Sequence, residues 1–143
     1  MKILFITQLS KQFLQNSNII NDIVSDMILH GLKEVYGNDV IDYPGAWYMY
    51  NDEGKKRSIN NKKLWGNGFT YYDSFENYES IDRSDIQNKV KKNYFDYIVY
   101  GSFSRSNKFF EDSLNSKSKI ILIDGEDNTN LDLNKNKKII FSF

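Results

Sequence analysis

A turn that could bind an anion lies at residues 101–106, which read Gly-Ser-Phe-Ser-Arg-Ser. A glycine lets a ligand approach the backbone closely, and the first amides of a following helix point their N–H groups at an anion. Arg105 could add a bidentate contact to a phosphate or a carboxylate. We therefore take Gly101, Ser102, Ser104 and Arg105 as candidate ligand-binding residues. The alternative is that Ser104 caps a helix and Arg105 is a solvated surface residue.

Three acidic residues, Asp124, Glu126 and Asp127, form a second candidate site. They follow the most apolar run of the chain, residues 119–123, and they are the candidate catalytic residues. Their carboxylates could hold Mg²⁺, or they could accept hydrogen bonds from ribose and sugar hydroxyls. They equally fit a turn in which Asp127 is a cap. The sequence assigns no metal ligands and identifies no cofactor. Mg²⁺ is the metal ion that these acids could hold.

Alternating strand and helix patterns indicate how these residues are positioned. Short apolar runs predict strands at residues 2–7, 39–43, 95–100, 119–123 and 138–143, and helical spacing predicts helices at 18–36, 84–93 and 104–114. Such alternation is typical of an α/β domain with a doubly wound, mainly parallel sheet of the Rossmann-like or flavodoxin-like type. We expect five strands in the order 2-1-3-4-5, and one domain that spans residues 1–143.

The first predicted helix has the clearest pattern. Its apolar residues recur at helical spacing and form one stripe, the kind of surface that a helix of a globular protein turns towards the core: Ile20, Ile23, Val24, Met27, Ile28, Gly31, Leu32 and Val35. Ser17 or Asn18 could cap its start, and Gly37 stands where a glycine commonly ends a helix.

The predicted strand order decides where a ligand would bind. In an open parallel sheet, ligands lie beyond the carboxyl ends of the strands, where the strand order reverses. In the order 2-1-3-4-5 this point falls between strands one and three. Thr7, Gln8 and Ser10, which follow strand one, therefore join residues 101–106 as candidate ligand-binding residues.

Residues 45–83 fit no regular pattern, yet they contain nine of the 22 aromatic residues of the chain. A flexible linker would not carry so many aromatic side chains, so we predict an ordered insertion that packs on the rim of the sheet. Its aromatic rings could stack on sugars or bases, or they could close a small secondary core. The basic residues at 55–57 and 62–63 lie beside acidic ones, which favours a solvated loop.

The composition excludes several classes of function. The chain has no cysteine, which excludes disulfides, thiolate nucleophiles and Cys-ligated zinc, and its single histidine, His30, is interpreted as structural. The formal net charge is zero, so we expect no nucleic-acid partner. The N-terminal run is too short for a signal peptide or a membrane span, and we expect a cytoplasmic protein.

The last predicted strand, Lys-Ile-Ile-Phe-Ser-Phe at residues 138–143, would leave an apolar edge open to pairing. A second copy of the chain, a second domain or subunit, or the insertion could cover this edge. We expect one of the first two.

Three segments together resemble the N-terminal, Rossmann-like half of two-domain, GT-B-type bacterial glycosyltransferases. They are the opening strand KILFIT (residues 2–7) with the long helix after it, DYIVYGSFSR (96–105) and ILIDGED (121–127). In those enzymes the C-terminal half holds most of the nucleotide-sugar donor. The resemblance therefore implies a domain with acceptor-side features that would not transfer sugar alone.

Two functions from different classes follow. The first is a glycosyltransferase-like domain that binds a sugar, sugar phosphate or nucleotide, with Arg105 on an anionic group and Asp124, Glu126 or Asp127 orienting hydroxyls or acting as a base. The second is a non-catalytic binding or assembly module that uses the aromatic insertion and the terminal strand as interfaces. Whether the chain is an enzyme is left open by the sequence.

Overall fold

The computed structural model of the chain describes residues 1–7, 22–51, 71, 74–76 and 78–123. Several predicted features lie outside these residues: Gln8, Ser10, Asp124, Glu126, Asp127, the basic residues at 55–57 and 62–63, and the fifth strand at 138–143. The α-helices and β-strands of these residues are β1 (Ile3–Ile6), α1 (Ile23–Tyr36), β2 (Val40–Tyr43), β3 (Tyr50–Asn51), β4 (Phe75–Glu76), α2 (Ile86–Lys91), β5 (Tyr97–Tyr100), α3 (Phe110–Asn115) and β6 (Lys119–Leu122).

A four-stranded parallel sheet in the order β2-β1-β5-β6 forms the centre of the fold. The prediction of an α/β domain with a mainly parallel sheet is therefore confirmed, and the first four predicted strands follow the order 2-1-3-4. The five-stranded order stays a prediction, because residues 138–143 lie outside the described part of the chain. The central strand β1 is buried on both faces, which is why its sequence is a continuous apolar run.

Helix α1 begins later than predicted, at Ile23. Its N-cap is Asp22, whose carboxylate accepts from the amides of Val24 and Ser25, and the predicted caps Ser17 and Asn18 lie outside the described residues. The predicted end is confirmed, because Gly37 follows the helix with a φ of 54°. A glycine adopts this positive φ without the strain that a Cβ would cause.

The orientation expected for the apolar stripe of α1 is wrong in part. Val24, Met27 and Val35 are exposed, whereas Asp26 and Lys33 are buried against the rest of the domain. Asp26 accepts from the Tyr48 hydroxyl and Lys33 donates to the Val40 carbonyl, so both buried polar groups have partners outside the helix, beside buried Leu29 on the same inner face.

The helix predicted at residues 104–114 is also shorter, since α3 begins only at Phe110. The carbonyl of Ser102 accepts hydrogen bonds from the amides of Arg105 and Ser106, so this segment folds as a turn. Ser104 is therefore no helix cap, and the amides of residues 104–106 do not start a helix. Helix α2 likewise begins at Ile86, two residues after the predicted cap Ser84.

The described part of the insertion packs into the core. Strands β3 and β4 form a small parallel ladder, and Tyr48, Met49 and Tyr50 are buried with the residues of the main sheet. His30 of α1 stacks on the ring of Tyr71 with a centroid distance of 4.5 Å. Among the described residues, no helix has both the length and the apolar character needed to cross a membrane.

Candidate ligand site

The ends of β1 and β5 bring two of the predicted site segments together. Ile6 and Tyr100 are register partners, and the amide of Gly101 donates to the Ile6 carbonyl at 3.0 Å. Chain connections leave β1 towards β2 and leave β5 towards β6, so the strand order reverses between these two strands. Thr7 follows β1 directly, and Ser102 follows β5 after Gly101, so both lie where an open parallel sheet binds its ligands.

Thr7 joins the ends of β1 and β2. Both its amide and its hydroxyl donate to the Tyr43 carbonyl, at 2.8 and 3.2 Å, and the residue is 5% exposed. Because its hydroxyl proton is used in this bond, the Thr7 oxygen is left as an acceptor for a third group.

Gly101 is needed for packing. A Cβ at this position would collide with the Ser25 hydroxyl and would lie 2.6 Å from Cζ of Phe5. The first turn of α1 therefore approaches the end of β5 closely because residue 101 has no side chain. From the sequence, Gly101 was expected to let a ligand approach the backbone. In the structure, the space that its missing side chain leaves is occupied by Ser25 of α1 and by Phe5.

Ser102 is the unusual residue of the turn. It is 1% exposed, and its hydroxyl has no hydrogen-bond partner within the described parts of the chain. Buried polar side chains nearly always have such a partner, and a missing one costs about 1–3 kcal/mol. A ligand hydroxyl or phosphate oxygen at the strand ends would supply it.

Arg105 lies beside the start of α1. Its Nη1 is 3.4 Å from Oδ2 of Asp22, and the two side chains are 41% and 14% exposed. The Asp22 carboxylate also caps α1, so the negative charge favoured by a helix start is already supplied by the protein. An incoming phosphate would have to share Arg105 with this carboxylate. An uncharged polyol would meet no such competition.

A buried acid in α1 was not identified from the sequence. Asp26 is in the first turn of α1, and the Tyr48 hydroxyl donates to its Oδ1. Burial, together with the charge of Asp26, raises the pKa of Tyr48 well above its usual range, so Tyr48 remains a hydrogen-bond donor. The only signal in the sequence was an acid close to the apolar residues Val24, Met27 and Ile28.

A second buried polar cluster centres on Asp42 of β2, which is 0% exposed. Its Oδ1 accepts from the Tyr50 hydroxyl and from Arg83 Nη2, both at 2.7 Å. Its Oδ2 accepts from the Ala46 amide at 2.7 Å, and Lys33 Nζ lies 3.7 Å from Oδ1. With both oxygens engaged, this carboxylate joins the described part of the insertion to the sheet and offers no position to a ligand.

Lys33 is a buried cation of that cluster. Its ammonium donates to the Val40 carbonyl at 3.0 Å and lies 5.3 Å from the ring centroid of Tyr50. Burial lowers the pKa of Lys33, and the nearby charge of Asp42 only partly opposes this shift. The charged form is therefore held at a cost in stability.

The structure brings together only part of the predicted site. Thr7, Gly101 and Ser102 are adjacent, and Arg105 stands beyond them at the surface. Gln8, Ser10, Asp124, Glu126 and Asp127 lie outside the described residues. Among the residues that are described, no group of three His, Cys, Asp or Glu side chains could hold a metal ion. Searches against models of known protein families, curated proteins and solved structures gave no match to this chain.

Proposed function

We propose that this domain binds a sugar, a sugar phosphate or a nucleotide at the carboxyl ends of β1, β5 and β6, as a glycosyltransferase-like domain would. The observation that carries the proposal is the buried Ser102 hydroxyl, which lacks a partner among the described residues at the point where the strand order reverses. Ligands of this class supply hydroxyls that both donate and accept, so they suit Ser102 and the acceptor oxygen of Thr7.

The remaining predicted residues complete the proposed site. Asp124, Glu126 and Asp127 follow β6, whose carboxyl end lies at the same edge of the sheet, and would orient ligand hydroxyls or act as a base. Gln8 and Ser10 follow β1 in the same way. A fifth strand next to β6 and a second domain or subunit would complete the proposed fold.

The test is a thermal-shift panel of free sugars, sugar phosphates, nucleotides and nucleotide sugars, with and without Mg²⁺. A ligand at about 100 times its Kd adds about 2.7 kcal/mol to stability, which for a chain of this size raises Tm by roughly 5–10 °C. We expect such a shift for the wild type and its loss in Ser102→Ala. Arg105→Ala should reduce the shift only for charged ligands.

Ser118→Ala is the matched control, because Ser118 is also a buried serine but precedes β6 at the opposite edge of the sheet. Its ligand shift should equal that of the wild type. A panel without any shift would reject the proposal for this chain. A shift that survives Ser102→Ala would move the site away from the end of β5.

A non-catalytic assembly module is the second candidate function. The interfaces expected for it were the aromatic insertion and residues 138–143, and the latter lie outside the described residues. In the insertion, Trp47, Tyr48, Tyr50, Tyr71 and Phe75 are buried or half-buried, so these rings serve the fold itself. The observation that favours assembly is instead the set of apolar side chains that α1 leaves exposed.

A further inference from the structure

Lys108 brings to the carboxyl edge of the sheet a cation that the sequence did not single out. Its Nζ donates to the Tyr43 hydroxyl oxygen at 2.9 Å, although the two residues are 65 positions apart in the chain. Tyr43 ends β2 and Lys108 follows β5, and β1 lies between these two strands. The contact therefore spans β1 at its carboxyl end, where Thr7 lies.

The fold holds Lys108 in this position. The hydroxyl of the fully buried Tyr100 donates to the Lys108 carbonyl at 3.2 Å. The next residue, Phe109, has a φ of 63°, which a bulky residue rarely adopts, and such conformations cluster at ligand-binding positions. The Lys108 ammonium lies 4.7 Å from the ring centroid of Tyr43 and 5.2 Å from that of Phe109. The cation is therefore positioned before a ligand binds.

Lys108 and Arg105 flank the strand ends from opposite faces of the sheet. Tyr43 and Asp42 are neighbours in β2, so their side chains point to opposite faces. Lys108 contacts Tyr43 on one face, whereas α1 lies on the other face, where its Lys33 approaches Asp42. Arg105 lies beside the start of α1 and is paired there with the carboxylate that caps this helix. The charge of Arg105 is therefore already opposed by the protein.

The pair formed by Lys108 and Tyr43 has hydrogen-bond donors that the described residues do not use. Of the three N–H donors of the Lys108 ammonium, one goes to Tyr43, and no described carboxylate lies within 4 Å of this ammonium. Because the Tyr43 oxygen accepts that bond, its own proton remains to be donated, and no group of the described residues accepts it. The pair therefore presents a positive charge and two donor groups, 2.9 Å apart, to an oxyanion.

We propose that the ligand of this domain carries a phosphate group, which the Lys108 ammonium and the Tyr43 hydroxyl bind. The inference rests on the proposed function and narrows it to sugar phosphates and nucleotides, so that free sugars are excluded. Lysine is a common phosphate ligand, and hydrogen bonds between charged groups are stronger than those between neutral ones. The hydroxyl-bearing part of the ligand then lies at Ser102 and at Thr7, whose hydroxyl donates to the Tyr43 carbonyl at 3.2 Å.

The first test compares ligands that differ only in the phosphate: glucose with glucose 1-phosphate, and uridine and adenosine with their monophosphates. In at least one pair, the phosphorylated member should give its half-maximal thermal shift at a concentration about tenfold lower or less, as one charge-assisted hydrogen bond supplies. The pair that responds distinguishes a sugar phosphate from a nucleotide. If no phosphorylated member is better than its partner, this inference is overturned. A free sugar whose shift is lost in Ser102→Ala would then still support the proposed function.

The second test assigns the phosphate to its side chains. Lys108→Met should remove most of the advantage of the phosphorylated ligand, whereas Lys108→Arg should retain part of it. Tyr43→Phe keeps the ring and loses only the hydroxyl, and it should reduce the advantage several-fold. Lys117→Met is the matched control, because it removes the same charge from an exposed lysine that precedes β6 at the opposite edge of the sheet. Equal losses in the two methionine variants, or no loss in Lys108→Met, would overturn the proposal.

Arg105→Met separates the two cations at the strand ends. Since Asp22 already opposes the charge of Arg105, this variant should lower the advantage of the phosphorylated ligand less than Lys108→Met does. A larger loss in Arg105→Met would place the phosphate on the α1 face and overturn the proposal. None of these variants changes Ser102, so their failure leaves the Ser102→Ala test of the proposed function unaffected.

Discussion

The backbone of Gly101 lies so close to the Ser25 side chain that no Cβ fits between them. This contact joins the end of β5 to the first turn of α1. It therefore sets how closely the first turn of α1 lies to the Ser102 turn of the proposed ligand site.

Gly101→Ala should destabilise the domain by about 1–3 kcal/mol, because the added methyl group overlaps Ser25 and Phe5 in a packed core. Urea denaturation measures the change. Gly31→Ala, on the open face of α1, is the matched control and should raise stability by up to about 1 kcal/mol. Equal effects at the two glycines would show that packing at Gly101 is looser than described.

Ser102→Ala should leave the ligand-free protein as stable as the wild type or more stable, by up to about 1 kcal/mol, because it removes a buried hydroxyl without a partner among the described residues. Ser118→Ala should instead cost about 1 kcal/mol, since the Ser118 hydroxyl donates to the Phe95 carbonyl at 2.7 Å. Chemical denaturation of both variants checks the pair. A clear loss of stability in Ser102→Ala would mean that this hydroxyl serves the fold.

Asp22 has two roles that substitution can separate. Asp22→Ala removes the cap of α1 and should cost about 1 kcal/mol, whereas Asp22→Ser keeps a capping oxygen and removes only the contact with Arg105. Because that contact is exposed, we expect Asp22→Ser and Arg105→Ala each to change stability by less than about 1 kcal/mol. A loss in Asp22→Ser as large as in Asp22→Ala would assign the stabilisation to the ion pair.

Asp42→Asn should destabilise the domain by about 3–5 kcal/mol, because Arg83 and Lys33 would be left buried without their counter-charge. The double variant Asp42→Asn/Arg83→Leu should recover part of this loss, since it removes one of the two uncompensated cations. The comparison is made by urea denaturation at pH 7. Strictly additive losses would show that the two side chains are not coupled.

Stability should depend on pH through Lys33. Burial puts the pKa of Lys33 in the folded protein below the ordinary value of 10.5, so between these two values the unfolded chain binds more protons than the folded one. The free energy of unfolding contributed by this group therefore rises with pH in that window. We expect the difference in the free energy of unfolding, wild type minus Lys33→Met, to increase from neutral pH towards 10.5.

Titration of the buried tyrosines changes stability with pH in the opposite direction. The pKa values of Tyr48 and Tyr50 are raised above the ordinary value of 10.0, so above that pH the unfolded chain loses protons first and stability falls. The wild type and Lys33→Met both contain these tyrosines, so the contribution of the tyrosines cancels in the difference between their free energies of unfolding. A difference that is flat or falls with pH would contradict the assigned shift of Lys33.

The sequence predicted the elements whose signals are local. The apolar runs of β1, β5 and β6 identify buried parallel strands by themselves, and Gly37 marks the end of α1. The orientation of α1 could not be predicted, because it depends on bonds from Asp26 to Tyr48 and from Lys33 to Val40, neither of which shows in the periodicity of the helix.

The sequence predicted which turn belongs to the candidate site, but it did not predict which side chain of that turn is buried. Ser102 and Ser104 look alike in sequence, and only the fold buries the first and exposes the second. The start of α3 was misplaced because the Ser102 carbonyl closes a turn where the apolar pattern already suggested a helix. Asp42 was missed because Arg83, its partner, is 41 residues away.

The Asp42 carboxylate also bears on how the domain opens. Its oxygens accept hydrogen bonds from the Ala46 amide, from Tyr50 of β3 and from Arg83 before α2, so the described part of the insertion cannot separate from the sheet without depriving the buried Asp42 charge of these three partners. This part of the insertion and the sheet therefore belong to one cooperative unit. Amide hydrogen exchange at Ala46, although it lies outside any strand, then requires the same opening as exchange within β2.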